Sequence, residues 1–244
     1  MRRIRGLAKM YLSTGMLAFI GASAASATLV INPGFETLES TLGRPSSYGD
    51  WGDNVSQIVT AENGVTPHDG SRMLKFIATG PAGPDVGGGS SVYQLLDLSS
   101  FAAAIASGQA QVTASAFFNR AFAGVETDTQ FVIGLTAYSG SPAAFPGFPT
   151  PLATATVSLF SDGDALTWEM LETSLLLPTD TTYVALLLAA AENVVNQNTS
   201  PEFDGHYADA VVGVSQIPEP SSGLLIVAGS ALIGLMRRSR RRNG

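Results

Sequence analysis

The chain has 244 residues, with 13 Lys and Arg against 20 Asp and Glu, and a formal net charge of −7 at pH 7. It contains no cysteine, which excludes disulfides, thiolate catalysis and cysteine-ligated zinc. The length suits one or two domains, but both ends have the composition of targeting segments, so we expect one domain between them.

The N-terminus has the three parts of a secretory signal peptide. Four basic residues lie within the first nine positions, an apolar run covers residues 10–20, and small residues occupy positions 25–27. The apolar run is much shorter than the roughly 20 residues that a membrane-spanning helix needs. We therefore predict an exported protein that is cleaved after Ala27, so that residues 1–27 are removed.

The region between the two ends is strongly acidic. Residues 28–217 contain 4 of the 13 basic residues and 19 of the 20 acidic residues. A field of this sign repels phosphate backbones and favours divalent cations and cationic partners. We therefore expect no nucleic-acid partner, and calcium becomes a candidate ligand.

Short apolar or alternating segments, separated by clusters of Gly, Pro, Asn, Asp and Ser, predict one all-β sandwich domain over residues 28–215. The predicted strands cover residues 29–32, 55–60, 72–78, 91–98, 111–118, 130–138, 153–160, 167–177, 182–190 and 206–214. One short helix is predicted at residues 99–107, capped by Ser99 or Ser100 and closed by Gly108. Residues 80–90 and 139–151 are rich in Gly or Pro and are predicted to be loops.

Short motifs in this domain resemble the galactose-binding-like jelly rolls, which include many carbohydrate-binding modules. The motifs are Asn-Pro-Gly-Phe-Glu at residues 32–36, Trp51, Pro-His-Asp-Gly-Ser at residues 67–71 and the segment 203–211. The resemblance implies a jelly-roll β-sandwich whose first and last strands lie close together, with a structural calcium ion beside them.

The resemblance also implies residues for that ion. Carried over by position, Glu36 and Asp209 supply carboxylates, while Gly34 and Ser71 lie where backbone carbonyls complete the shell. Calcium takes six to eight oxygens at about 2.3–2.6 Å, which separated loops can supply together. The alternative is that Glu36 caps a turn and Asp209 is a solvated residue at a strand end.

Tyr48 and Trp51 lie in a loop rich in Gly, Ser and Asp, where an exposed aromatic ring can stack on a sugar. The alternative, which we favour for Trp51 and more strongly for Trp168, is a place in the core, since large aromatics are usually buried for their apolar area. A concave sheet face is the better place for a sugar site, but the sequence does not reveal which side chains line it.

The residue pattern does not favour catalysis. Glycosidase chemistry needs two carboxyl groups about 5–9 Å apart across a cleft. Strand alternation places Glu169 and Glu172 on opposite faces of a sheet. Two histidines, His68 and His206, are too few for a three-histidine zinc site. The other carboxylate pairs are Asp50 with Asp53 and Asp162 with Asp164, of which the second is typical of a turn.

The C-terminus combines three features in a fixed order. Pro218, Glu219 and Pro220 form a Pro-Glu-Pro motif, an apolar segment runs from Gly223 to Met236, and an arginine cluster follows. The cluster consists of Arg237, Arg238, Arg240, Arg241 and Arg242. At about 1.5 Å per residue, a helix over the apolar segment spans roughly 21 Å, short of a hydrocarbon core of about 30 Å. The arginines stay cytoplasmic under the positive-inside rule, so we expect the domain outside the inner membrane.

This order resembles the PEP-CTERM sorting signal of Gram-negative, exopolysaccharide-producing bacteria, over residues 217–244. In that family a membrane protease-transpeptidase, an exosortase, cleaves near the Pro-Glu-Pro motif and releases the protein to the surface or matrix. The resemblance implies an exosortase-type partner, a transient stay in the inner membrane and a final place at the cell surface or in the extracellular matrix. The alternative is that the tail persists as an ordinary anchor.

The function that the sequence favours is that of an exported, non-catalytic module that binds glycan or associates with the exopolysaccharide matrix. A purely structural or adhesion protein of the matrix, without a sugar site, is the second hypothesis. A secreted glycan hydrolase is the third.

Overall fold

The structure is a computed structural model that describes residues 27–77, 89–122, 128–192, 194–195 and 205–216. The predicted signal peptide up to residue 26, most of the predicted loop 80–90 and the predicted sorting tail from residue 217 lie outside the described residues. Within the described part, no helix is long and apolar enough to cross a membrane.

Strands dominate the described residues, as the alternating sequence pattern predicts. The strands are β1 (Ala27–Thr28), β2 (Trp51–Asp53), β3 (Ser56–Val59), β4 (Met73–Phe76), β5 (Gly89–Asp97), β6 (Gln111–Arg120), β7 (Thr129–Tyr138), β8 (Ala153–Phe160), β9 (Glu169–Leu176), β10 (Tyr183–Glu192) and β11 (His206–Gln216). The helical segments are a 3-10 helix at Ser99–Phe101, α1 (Ala102–Ala106) and a 3-10 helix at Pro142–Gly147.

The strands form two antiparallel sheets. One has the order β3-β4-β11-β6-β9, with β1 also paired to β11, and the other has the order β2-β5-β10-β7-β8. The first and last strands therefore lie side by side, with Thr28 opposite Val214. Large apolar side chains from both sheets fill one core, including Phe76, Phe118, Phe131 and Leu186. The prediction of a jelly-roll β-sandwich is confirmed.

Strand β9 shows how the sequence pattern decides which face is buried. Leu171 and Leu175 are buried, whereas Met170, Glu172 and Leu176 between and beside them are exposed. This period of two is the geometry of a strand with one face on the core. Nine of the ten predicted strands are confirmed, with bounds that move by at most two residues.

The prediction of a strand over residues 29–32 is wrong. Strand β1 ends at Thr28, although the Leu29 amide still donates to the carbonyl of Gly213 at 2.7 Å. Asn32 and Phe35 have positive φ angles of 50° and 53°, which turn the chain away from extended geometry. Strand β2 and the 3-10 helix at Pro142–Gly147 lie in segments that the sequence analysis assigned to loops.

The helix at residues 99–107 is confirmed, but its predicted cap is wrong. Neither helical segment there has a side-chain cap from Ser99 or Ser100. Instead, the carboxylate of Asp97 accepts a hydrogen bond from the Ser99 amide at 2.9 Å. Gly108 closes the segment with a φ of 69°, a conformation that glycine adopts without steric cost.

Candidate functional site

A cleft of about 410 Å³ lies on the face of the five-stranded sheet that points away from the core. Tyr93 of β5 and Tyr138 of β7 reach it because alternate residues of these strands face outwards. The segment that follows β7 forms one wall. We name this site the aromatic cleft, and its lining residues are Arg44, Tyr93, Tyr138, Phe145, Phe148, Pro149, Thr150 and Pro151.

Contacts between aromatic rings hold the cleft together. The pairing of β7 with β10 sets Tyr138 directly opposite Tyr183, and their rings stack with centroids 5.3 Å apart. Phe145 is only 3% exposed and meets Tyr93 and Tyr138 edge-on, at 5.2 Å and 5.7 Å between centroids. Such edge-to-face pairs contribute about 0.5–1.5 kcal/mol each beyond their buried area. Phe145 therefore packs against both tyrosine rings and restricts their orientation.

Phe148 has a different position from Phe145. Ser141 caps the start of the short 3-10 helix, and its side chain accepts a hydrogen bond from the Ala143 amide. Phe148 follows the helix in a left-handed conformation with a φ of 56°. A bulky residue in that conformation costs roughly 1–2 kcal/mol relative to right-handed geometry. The side chain is nonetheless 72% exposed. The chain therefore presents an aromatic ring to solvent from a strained position.

Arg44 is the charged residue of the cleft lining. Its Nε donates to Asp53 Oδ1 at 2.9 Å, and Asp53 Oδ2 accepts from the Ser91 hydroxyl at 2.8 Å. The guanidinium carbon lies 3.3 Å from the centroid of the Phe148 ring and 5.8 Å from that of Tyr93. These cation–π contacts and the ion pair hold the guanidinium at the cleft wall.

The two tyrosine hydroxyls of the cleft are available as donors and acceptors. Burial, and then the charge of Asp53, raise the pKa of Tyr93, while Arg44 opposes them. Burial also raises the pKa of Tyr138, again against the effect of Arg44. Both phenols are therefore protonated at neutral pH, and neither forms a hydrogen bond to another residue that the structure describes.

The structure separates the two aromatic residues that the sequence analysis proposed for glycan contact. Trp51 is 1% exposed, packs on Phe35 and donates from Nε1 to the carbonyl of Ile31 at 3.1 Å. Its role as a sugar platform is therefore wrong, and the alternative of a core position holds. Tyr48 is 39% exposed and lines a separate, smaller pocket of about 270 Å³ with Glu39 and Asp50.

The sequence analysis missed the residues of the aromatic cleft. Phe145 and Phe148 lie in a segment read as a loop, and Tyr93 and Tyr138 look like ordinary members of strands. A usable signal was present, because two phenylalanines in a proline-rich segment have no strand or helix pattern that would bury them both. Arg44, as one of four basic residues in residues 28–217, was a second signal.

A second aromatic group lies on the six-stranded sheet. His68 stacks on Phe117 of β6 with centroids 3.7 Å apart, and Trp168 meets His68 edge-on at 5.9 Å. Trp168 precedes β9 and is only partly buried, and its Nε1 donates to the carbonyl of Thr66 at 3.0 Å. The expectation of a core position for Trp168 is therefore corrected.

The four residues proposed for calcium do lie together, at a site that we name the terminal junction and define by Gly34, Glu36, Ser71 and Asp209. Glu36 Oε1 accepts from the amides of Ser71 and Arg72 at 2.7 Å and 2.9 Å, and Oε2 accepts from the Ser71 hydroxyl at 2.7 Å. A Cβ atom at Gly34 would lie 3.8 Å from Asp209 Oδ1 and 4.0 Å from Glu36 Cγ.

Asp209 forms the buried half of the junction. Its Oδ2 accepts from the amides of His68 and Asp69 at 2.8 Å and 3.1 Å, and its Oδ1 accepts from the Ala210 amide at 2.6 Å. The residue has no exposed surface, so the alternative of a solvated Asp209 is wrong. Burial raises its pKa to about 6, although these three amides oppose the shift.

The hydrogen bonds of the junction determine which carboxylate lone pairs are left for a cation. Hydrogen bonds from Ser71, first its hydroxyl and then its amide, lower the pKa of Glu36, which keeps the carboxylate charged. Each carboxylate has one oxygen that accepts two hydrogen bonds and one that accepts a single bond, which leaves one lone pair per residue. The described residues contain no group of three or more His, Cys, Asp or Glu side chains that could hold a metal ion.

The carboxylates considered for catalysis have structural contacts instead. Asp162 Oδ1 accepts from the Asp164 amide at 2.8 Å, and Asp162 Oδ2 accepts from the Thr167 hydroxyl at 2.8 Å, which is the predicted turn. His206 is fully buried, with its Nε2 3.0 Å from the Thr129 hydroxyl. Burial, and then Arg120, lower the pKa of His206 to about 3, so it stays neutral.

The solved structures to which the chain is similar include carbohydrate-binding modules. TmCBM61 in complex with β-1,4-galactotriose is 14% identical, with 77% of this chain and 97% of that chain covered and a TM-score of 0.43. The CBM22-1 xylan-binding domain from Paenibacillus barcinonensis Xyn10C is 9% identical, with 80% and 98% covered and a TM-score of 0.43. The C-terminal family 22 carbohydrate binding module of Clostridium thermocellum Xyn10B is 16% identical, with 71% and 89% covered and a TM-score of 0.41.

The match to a family model concerns the C-terminus. The sequence matches no curated protein. Residues 216–242 match the model of the PEP-CTERM protein-sorting motif, which confirms the resemblance of the tail. The chain therefore carries a PEP-CTERM sorting motif at residues 216–242, which indicates an exported protein that is sorted to the cell surface.

Proposed function

We propose that this protein is a non-catalytic module of the cell surface or exopolysaccharide matrix that binds glycan chains in the aromatic cleft. The observation that carries the proposal is the exposed ring of Phe148, held at a positive φ beside a cleft with three further aromatic rings and one fixed arginine. Sites for small ligands combine apolar and aromatic walls with a few placed polar groups, and the cleft has this composition.

The chemistry of a sugar matches both kinds of group in the cleft. Each pyranose ring has C–H groups on its faces, which bury apolar surface against an aromatic ring, and hydroxyl groups on its edge. Tyr93 and Tyr138 offer phenols that donate and accept hydrogen bonds, and Arg44 offers donors. A ligand that lay across the cleft would therefore meet stacking surfaces and hydrogen-bonding groups together.

The sorting step that we propose places this module outside the cell. An exosortase-type membrane protease cleaves near Pro218, Glu219 and Pro220, after the segment from Gly223 to Met236 has held the protein transiently in the inner membrane. The signal peptide is removed after Ala27. The mature domain then remains at the cell surface or in the extracellular matrix.

Calcium is a second, structural part of the proposal. The terminal junction offers one free lone pair from each of Glu36 and Asp209, and backbone carbonyls of Gly34 and Ser71 are proposed as further ligands. The chemistry that a bound ion would supply there is positive charge beside a buried carboxylate. It would tie the start of the domain to strand β11 more firmly than the hydrogen bonds alone.

A glycan array tests the proposed function, with the purified protein applied in calcium and again in chelator. We expect retention on at least one polysaccharide class, and strong loss of that retention in Phe148→Ala. Phe122→Ala is the matched control, because Phe122 is 75% exposed and follows strand β6 of the other sheet. If the wild-type protein were retained on no glycan in either buffer, the protein would be a structural or adhesion component without a sugar site.

A further inference from the structure

The charge of the aromatic cleft differs from that of the domain around it. Residues 28–217 contain 19 acidic and 4 basic residues, yet Arg44 is the one charged residue among the described residues that line the cleft. Surface charges further away than about 8 Å are largely screened at physiological salt. Arg44 is ion-paired with Asp53, so the cleft lining presents the positive member of that pair to a bound ligand.

Two contacts fix Arg44 and leave one edge of its guanidinium for a ligand. Nε donates to Asp53, and the face of the group lies on the ring of Phe148. The N–H groups on the two Nη atoms donate no hydrogen bond to another residue that the structure describes. Arg44 is also accessible, with 21% of its side chain exposed.

A ligand that covers this edge displaces the water bound to the guanidinium, so it must replace the hydrogen bonds that the water formed. Burying an ionised group without a partner of opposite charge is costly, and Asp53 offsets that cost only on the Nε side. A neutral sugar hydroxyl accepts a hydrogen bond but brings no charge. A carboxylate brings both, and its two oxygens match the parallel N–H groups of a guanidinium edge.

We infer that the aromatic cleft selects acidic sugars, with a uronate carboxylate bound to the Nη edge of Arg44 and the sugar ring against the neighbouring aromatic rings. The inference rests on the proposed function and adds the class of glycan to it. Tyr93 and Tyr138 line the same cleft and would orient the sugar through its hydroxyl groups.

Paired probes, with and without the carboxylate charge, test the inference. The full protein is titrated with oligomers of galacturonate, glucuronate and mannuronate, each beside its methyl ester, which keeps the ring and the linkage. We expect at least one acid to bind about tenfold more tightly than its ester, the size of a charge-assisted hydrogen bond. If no acid binds more tightly than its own ester, the inference is overturned.

Substitutions of Arg44 test whether this residue causes the preference for the acid over the ester. Arg44→Gln is expected to bring the ratio of acid to ester affinity close to one while it still binds the ester, which shows that the cleft is folded. Arg44→Lys keeps the charge without the planar fork and is expected to retain part of the ratio. Arg72→Gln removes one positive charge outside the cleft and is expected to leave the ratio unchanged. An unchanged ratio in Arg44→Gln would contradict the inference.

The array separates this inference from the proposed function. Retention on neutral glycans alone, with loss in Phe148→Ala, would overturn the preference for acidic sugars and leave the cleft as the glycan site. Retention on no glycan, neutral or acidic, would overturn both.

Discussion

The aromatic cleft and the terminal junction are both built from distant parts of the chain, yet they use their polar groups in opposite ways. At the junction, Glu36 and Asp209 accept hydrogen bonds from amides of the loop that precedes β4, and Asp209 has no exposed surface. Most of the hydrogen-bonding capacity of the junction is satisfied within the protein, as expected of a site with a structural role.

In the cleft, by contrast, capacity for hydrogen bonds remains. The phenols of Tyr93 and Tyr138 and the Nη groups of Arg44 donate to no other residue among those described, and Phe148 is 72% exposed in a strained conformation. Strain and unused donors cluster where a ligand supplies the missing contacts. The polar groups of the junction are therefore satisfied within the protein, whereas those of the cleft are available to the glycan that we propose.

The largest expected effect comes from breaking the junction. Asp209→Ala leaves three amides without their acceptor in a buried place, so we expect the free energy of unfolding to fall by about 3–5 kcal/mol. The melting temperature should fall by about 10 °C. Thermal melting beside Glu172→Ala, which removes an exposed carboxylate from β9, provides the control. Equal melting temperatures for the two variants would contradict a structural role for Asp209.

Calcium bound at the terminal junction should raise the melting temperature of the protein. A ligand that binds only the folded state at 100 times its dissociation constant stabilises the protein by about 2.7 kcal/mol, so melting should occur at a higher temperature in calcium than in chelator. Glu36→Gln should reduce this shift, while Glu172→Gln should not. No shift at millimolar calcium would remove the calcium proposal for Glu36 and Asp209.

The cleft should respond in the opposite way to substitution. Phe148→Gly relieves the left-handed strain but adds flexibility to the unfolded chain, so we expect stability to change by less than about 1 kcal/mol. Affinity for the glycan that the array selects should nevertheless fall about tenfold, because an exposed stacking surface is lost. A large loss of stability with unchanged affinity would show that Phe148 is structural.

The stability of the junction should also depend on pH, although the amides around Asp209 oppose part of the effect of burial on its pKa. Its pKa rises from 3.8 to about 6 on folding, so the folded state holds a proton that the unfolded state has released. This contribution is complete below about pH 4 and is lost as the pH rises through about 6. In chelator, wild type should therefore lose stability relative to Asp209→Asn between pH 4 and pH 6. The opposite slope would contradict the assignment.

The strands and the sorting motif could be predicted from sequence because their signals are local. Alternating or continuously apolar segments indicate β6 to β11, and the Pro-Glu-Pro motif, apolar segment and arginines are contiguous. The junction was located only through a family resemblance, which brought Glu36 and Asp209 together but did not reveal that amides occupy most of their lone pairs.

The cleft could not be predicted because strand register creates it. Arg44, Tyr93 and Tyr138 lie in three separate segments, and only the sheet order β5-β10-β7 sets the two tyrosines on one face. The residue type favoured a core position for Trp51, although its loop-like surroundings left sugar contact open. The short strand β2, which the sequence did not predict, pairs with β5, and the indole lies in the core.

The most direct test of glycan binding in the cleft is to map the aromatic NMR signals that shift when the selected glycan is added. We predict shifts for Tyr93, Tyr138 and Phe148, and none for Phe117 and Trp168 on the opposite sheet. Shifts confined to Phe117 and Trp168 would contradict the account and place the ligand on the six-stranded sheet.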